Sequence, residues 1–435
     1  MNDRPVLDAF RSLGAPEELE ARAAAQHGPA SPLKSNAHVH VPPNFSAFDS
    51  VRQAVTLASD QGVRVLGLSN YYDFTVYTDF AELCRLHGIF PLYGLEIIGL
   101  LDDLKSAGLL INDPGNPGRM YLCGKGISCF DSMTAEAGRL MQETRRNDTA
   151  RMKNMVDRIE GVFAKHGLAT GLDDAAIIAR VERRYGVRRE SVCLQERHVA
   201  QAFQEAFFQR VGPARRRELL CAVFNAPSKA NPEDAIAVQQ EIRSQLMKVG
   251  KAAFVPEIFL DFEQANRLIL ELGGIPCYPT LADGASPICP FEDPPEKLIQ
   301  ELKRRCIHCA ELIPIRNQPE VLERYVSAFR QAGLIVTAGT EHNTFDLLPM
   351  EPACVGGQPI PEPVRRIFWE GACVVAAHQF LTLHGRTGYV DRSGNLNGAF
   401  SDHEHRIEHF RKIGAAVITR YMEHNKAPGA LPTHD

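Results

Sequence analysis

The chain has 435 residues, 44% of them hydrophobic and 23% charged, which is too apolar for a disordered polymer and too mixed for a fibrous one. Its formal net charge of −5 supplies no field to hold a polyanion, so no nucleic-acid partner is expected. No run of about eighteen apolar residues occurs, because the most apolar stretch, 94–111, is broken by Glu96, Asp102, Asp103 and Lys105; no membrane partner is expected either.

The opening Met-Asn-Asp-Arg-Pro lacks the charged-then-apolar layout of a signal peptide, and the expected location is cytoplasmic. Residues 1–33 are polar and Ala-rich and read as a helical or loose arm. From residue 34 short apolar runs alternate with helical stretches. Strands are expected at 35–41, 63–69, 90–97, 120–124, 274–280, 309–314 and 334–339, with helices at 48–61, 75–87, 262–272, 295–306 and 319–332. Glycines such as Gly62, Gly88 and Gly333 stand where a helix would close before a strand. This alternation implies a mainly parallel sheet with helices outside. With no Gly-x-Gly-x-x-Gly after the first strand, a distorted seven-stranded α/β barrel fits better than an open doubly wound sheet.

Between the fourth and fifth strands the rhythm stops. Residues 128–260 read as an all-helical insertion, with helices at 134–146, 149–166, 172–185, 196–211, 214–224 and 231–249. Its many arginines are interleaved with Glu and Asp, which reads as solvated helix faces. The barrel therefore comprises 34–127 and 261–345, and 346–435 forms a C-terminal helical segment with helices at 363–384 and 401–424. The eleven cysteines are scattered without framework spacing, and Cys306-x-x-Cys309 lacks the two further ligands of a zinc site; small buried hydrophobes are expected. His403, His405 and His409 lie on the last helix without the His-Glu-x-x-His order of a zinc protease. No Gly-x-Ser-x-Gly elbow and no Walker loop is present.

The chemistry concentrates at the expected strand ends. In Asn36-Ala37-His38-Val39-His40 the two imidazoles, two residues apart on a strand, face one way and can grip a divalent cation. Glu96 and Glu311 are carboxylates inside apolar strands, and such groups need a cation or a hydrogen-bond partner. The last strand runs into Gly339-Thr340-Glu341-His342-Asn343, polar where a barrel would open.

This order of His-x-His, Gly-x-Glu, Gly-Gly-Ile, a strand Glu and Gly-Thr-Glu-His resembles the polymerase and histidinol-phosphatase (PHP) family of metal-dependent phosphoesterases over about residues 34–344. The resemblance implies a distorted barrel and a cluster of up to three metals activating water against a phosphoester. The family's Asp-His after the second strand is matched here by Asn70-Tyr71, its fourth-strand His by Tyr121, its Ala-His-Pro by Cys277-Tyr278-Pro279, and its closing Asp-x-His by Glu341-His342-Asn343. The surviving ligands, His38, His40, Glu96 and Glu341, or His342 if the chain bends by one residue, suffice for one divalent ion, zinc or manganese, and not for three.

The resulting expectation is a single-metal hydrolase acting through activated water on a small polar, carbohydrate-like or phosphorylated substrate. Glu311 and His342 are the candidate acid/base groups. Substrate contacts are expected from Arg316, Asn317 and Lys125, from Tyr71, Tyr121 and Tyr278 in place of the lost imidazoles, and from Arg197 and His198 on the insertion. A metal-dependent isomerase, epimerase or lyase on the same barrel is the alternative, and a non-catalytic sugar-binding or scaffold protein a third. Homo-oligomer formation stays open.

Overall fold

The computed structural model describes residues 9–25 and 31–425, so parts of the arm and the last ten residues lie outside it. Helix α1 (Pro16–Ala25) precedes a repeating unit: β1 (Ser35–Val39), α2 (Val51–Asp60), β2 (Val65–Leu68), α3 (Tyr77–His87), β3 (Phe90–Leu100), the short α4 (Asp102–Ser106) and β4 (Arg119–Lys125). The Ser50 side chain caps α2 by accepting from the Gln53 amide, and Gly88, left-handed at φ 63°, closes α3. After the insertion come β5 (Leu260–Asp261), α10 (Phe262–Glu271), β6 (Ile275–Thr280), α11 (Pro295–Arg304), β7 (Cys309–Leu312), α12 (Pro319–Gln331) and β8 (Ile335–Ala338).

The strands form one sheet in the order β1-β2-β3-β4-β6-β7-β8, with the two-residue β5 beside β3. It closes into a nearly complete barrel where the chain beyond β8 meets β1: His40 N donates to Glu341 O at 2.7 Å, and the amides of Thr340 and Glu341 donate to His38 O. All neighbours are parallel except β4, which runs antiparallel to both β3 and β6. Reversal of this one strand corrects the expected direction and has consequences for the site. Its N-terminal residues, Arg119 and Tyr121, stand at the open end, and Lys125 lies toward the floor opposite Gly94 and Ile275.

The insertion contains α5 (Ala135–Lys165), α6 (Asp174–Tyr185), α7 (Glu196–Arg210), α8 (Pro213–Phe224) and α9 (Ala235–Ile242), which continues into a π-helical turn at Arg243–Met247. The two helices expected at 134–146 and 149–166 are one. Asn147-Asp148-Thr149 resembles a cap, yet Thr144, Arg151 and Met152 are buried on either side, and that packing outweighs the local preference. The insertion has its own apolar core around Met155, Phe163, Phe203 and Phe207.

A larger core unites the barrel with α1, α13 (Glu362–Leu383) and α14 (His403–His424). At the barrel's base Phe10, Phe90, Tyr93 and Tyr421 pack edge-on or stacked at 5.2–5.9 Å, joining both ends of the chain to β3. Glycine permits the tightest contact: a Cβ on Gly414 of α14 would lie 1.8 Å from Cys373 O of α13. All eleven cysteines are free. No helix among the described residues is long and apolar enough to cross a membrane.

Candidate metal centre and its cleft

Strand β1 delivers His38 and His40 to the same interior face. Their Nε2 atoms lie 3.2 Å apart, and Glu96 Oε2, from β3, sits 3.2 Å from the first and 3.0 Å from the second. Ligands about 2.0–2.1 Å from a tetrahedral cation stand ~3.3–3.4 Å from one another, so these three atoms have nearly the spacing of three corners of such a site. The donor chemistry agrees. At most one proton fits between two facing imidazole nitrogens, and Glu96 adds an acceptor. The triad therefore brings together more lone pairs than hydrogens, and a divalent cation resolves that imbalance.

Glu311 acts behind the triad. Its Oε2 lies 2.6 Å from His38 Nδ1, which fixes the proton there and turns the Nε2 lone pair toward Glu96, the carboxylate–histidine arrangement that strengthens a metal ligand. Its Oε1 accepts from Lys125 Nζ at 2.5 Å, and the ammonium also donates to Ala37 O at 3.1 Å. Both side chains are almost sealed, with Lys125 2% and Glu311 0% exposed. Burial opposes the charge on Glu311, but Lys125 and His38 outweigh it and hold the carboxyl down at about 2. Burial likewise opposes charge on Lys125, and Glu311 carries its pKa above the usual lysine range. Glu96 follows the same logic: desolvation is overcome by the two imidazoles beside it, and its pKa falls below the usual carboxylate range. His40 lacks a carboxylate behind it; its ring stacks on Tyr71 at 5.1 Å, nearly parallel, and its Nδ1 is buried without a hydrogen-bond partner. Tyr71 in turn donates to Glu96 Oε1 at 2.6 Å.

Above the triad lies a cleft of about 480 Å³, walled by the barrel mouth on one side and the insertion on the other. Of the residues predicted from sequence, Glu96, Tyr71, Tyr121, Arg316, Glu341 and Arg197 line it. Glu341 lies outside the group of ligand atoms that gather around Glu96. Arg316 instead grips its carboxylate with both guanidinium nitrogens, and Asn343 donates to it at 2.7 Å. Glu341 (φ 58°) and His342 (φ 52°) are both left-handed, and their side chains take separate partners. His342 stacks on Phe48, its Nδ1 2.7 Å from Thr340 Oγ1 and its Nε2 2.9 Å from Leu348 O, with both ring nitrogens occupied away from the cleft.

The remaining predicted contacts stand elsewhere. Lys125 and Glu311 lie beneath the triad. Tyr278 donates to the buried Glu292 at 2.9 Å. Asn317 Nδ2 bonds Leu281 O and Asp283 Oδ1 at 2.8 Å each. His198 is the third residue of α7 and accepts from the Gln195 amide in a capping box.

Glu196 of α7 lines the same cleft, as do Asp148 and Arg151 of α5, Arg243 and Lys248 at the π-helical turn, and Glu257, and of these only Glu196 was singled out from the sequence. Glu196 gathers Arg151 at 2.9 Å and Lys248 at 2.6 Å, and Glu257 bridges Arg119 and Arg151. Burial, the neighbouring Glu257 and Glu196, and the counter-pull of Arg151 leave the Asp148 carboxyl pushed up to about 7. The insertion is pinned to the barrel at this rim: Phe45 N donates to Gln195 Oε1 at 2.6 Å, and Arg145 bonds Tyr72 O and Asp73.

No protein-family model matches the sequence, and no curated protein matches it. Among solved structures the chain is similar to one provisionally described as a metal-dependent phosphoesterase from Bifidobacterium adolescentis, at 15% identity and a TM-score of 0.50, over 78% of this chain and 96% of that one. It is also similar to an amidohydrolase from Chromobacterium violaceum that carries sulfate and no metal, at 14% identity and a TM-score of 0.48, over 77% and 96% of the two chains. The first of these likenesses shows the barrel fold expected from the strand pattern.

Proposed function

We propose that the chain is a hydrolase dependent on a single divalent cation, zinc or manganese, and that it acts on a small polar substrate, carbohydrate-like or phosphorylated. One observation carries the reading: the ligand atoms of His38, His40 and Glu96 converge within 3.0–3.2 Å, and Glu96 lines the cleft above them. His38, His40 and Glu96 would hold the cation, and the chemistry it would supply is activation of water as a nucleophile near neutral pH.

The chain's own residues do the rest. Glu311 orients His38 and fixes its tautomer. Tyr71 occupies Glu96 Oε1 and leaves Oε2 for the cation. Arg316, tied to Glu341, presents its remaining guanidinium face at the barrel mouth and orients the substrate. The insertion supplies the cleft's other wall. Asp148, the cleft acid whose pKa stands at about 7, is suited to hand a proton to the leaving group. Likeness of fold to the Bifidobacterium protein, described as a phosphoesterase, supports this reading.

Elemental analysis of the purified protein beside a His38→Ala, His40→Ala double variant tests it. About one equivalent of zinc or manganese is expected in the first and less than a tenth of that in the second, with turnover on a panel of phosphate and carboxylate esters lost in parallel. Equal metal in both preparations would remove the triad from the site.

A further inference from the structure

Six cations line the cleft, and four of them are tightly satisfied. Arg119 is held by Glu257 and Asp113, Arg151 by Glu196 and Glu257, Lys248 by Glu196, and Arg316 by Glu341. Arg197 and Arg243 differ. Arg197, half-buried at the start of α7, has no carboxylate within ion-pair distance among the described residues; its guanidinium rests 5.7 Å from the Phe45 ring centroid. Arg243, half-buried where α9 passes into its π-helical turn, reaches only Glu196, at 3.5 Å, a carboxylate already bound by Arg151 and Lys248, and its Nε is buried with no acceptor. Such π-helical turns recur at functional sites.

These two guanidiniums are close enough to disfavour each other's charge. Burial first, and Arg243 second, bring the pKa of Arg197 down to about 10, while Tyr71, the adjacent Glu196 and Glu341 pull the other way without restoring it. The cleft's acids are already committed. Glu96 belongs to the triad, Glu341 to Arg316, Asp113 to Arg119, Asp148 stands beside Arg151, and Glu196 and Glu257 each bridge other cations. A pair of half-buried like charges whose one ion-pair partner, Glu196, is shared with Arg151 and Lys248 is costly to hold, and an incoming oxyanion would lower that cost.

We infer that Arg197 and Arg243 form an oxyanion subsite on the insertion, built to take a carboxylate or phosphate group of a small molecule whose other end reaches the triad. Guanidinium donors in a low-dielectric cleft suit this ligand class because each can bond two of its oxygens. The second half of the inference rests on the hydrolase reading above; the subsite itself does not. A substrate meeting both ends carries an anionic group separate from the bond that is cleaved, which narrows the class to anionic esters, phosphate esters or amides.

Calorimetric titration of the full-length, chelator-treated protein with inorganic phosphate, and separately with acetate, at constant ionic strength reads the subsite without the cation. Saturable binding of at least one probe is expected, weakened at least tenfold by Arg197→Gln and by Arg243→Gln and unchanged in the His38→Ala, His40→Ala protein. The tighter probe identifies phosphate or carboxylate as the natural group. Removing an uncompensated charge should also leave the melting temperature of the ligand-free variants equal to or above that of the parent, whereas a merely structural arginine would lower it. No binding by either probe at 10–20 mM (about a hundredfold above a strong charge-assisted site), binding untouched by both arginine variants, or loss of binding in the histidine variant alone would overturn the inference. Metal content in the same preparations reports on the hydrolase reading independently.

Discussion

Replacing Glu311 by Gln separates two roles of one buried carboxylate. The amide oxygen can still accept from His38 Nδ1, so the ring keeps its orientation, but Lys125 loses its only carboxylate and is left with Ala37 O at 3.1 Å. Stranding one member of a buried ion pair costs about 3–5 kcal/mol, and Lys125 at 2% exposure has no route to water. A neutral partner behind a metal-binding histidine costs ~10–100-fold in cation affinity. The single variant should thus lose about 3–5 kcal/mol in urea unfolding and bind zinc ~10–100-fold more weakly in chelator competition. Adding Lys125→Met removes the stranded ammonium, so the double variant should recover most of the stability and none of the zinc affinity. A Glu311→Gln protein within about 1 kcal/mol of the parent, or a double variant that regains full zinc affinity, would refute the assignment of Glu311 as the group that organises His38.

Three other substitutions test separate parts of the structure. Asp148→Asn should abolish the limb of the pH–rate profile near pH 7 and lower kcat ~10²–10⁴-fold while leaving bound metal intact; an unaltered profile removes Asp148 from proton transfer. Burial raises the Glu292 carboxyl to about 7 despite hydrogen bonds from Tyr278 and the amides of Leu281 and Ala282. Its folded pKa exceeds its unfolded value, so the parent binds more protons when folded and loses this contribution as pH rises from about 4.5 to about 7. The stability deficit of Glu292→Gln relative to the parent should therefore shrink between pH 5 and pH 8, and a constant deficit would contradict the shift. Gly414→Ala places a methyl carbon 1.8 Å from Cys373 O and must push α14 off α13; a loss of at least ~2 kcal/mol is expected, measured by urea unfolding, and an unchanged midpoint would refute the close approach.

The histidine pair was legible because strand periodicity alone puts residues 38 and 40 on one face, and Glu96 because a carboxylate in an apolar strand must find a partner. The direction of β4 was not. Its residues suit either orientation, and only the register with β3 and β6 shows that Lys125 faces inward near the floor instead of standing at the mouth. Glu341 and His342 were unreadable for a related reason: both are left-handed and neither is glycine, a bend that strand periodicity does not foretell. The insertion's helices were read, yet Asp148, Arg151, Glu196 and Arg243 looked like ordinary solvated charges, since a helix face that meets water and one that roofs a polar cleft have the same sequence pattern.

Because β4 descends, the chain leaves it at the floor of the barrel, although the cleft that the insertion roofs is at the top. Helix α5 spans that height: 31 residues, about 46 Å long at ~1.5 Å per residue. It is rooted near the floor by Thr134 bonding Glu271 and delivers Asp148 and Arg151 to the rim midway along its length. Its register is therefore a ruler. Inserting or deleting one residue below Asp148 would rotate the acid by roughly 100° about the helix axis, and a whole turn would lift it by about 5.4 Å, so the roof can be retuned for a different occupant without disturbing the triad beneath.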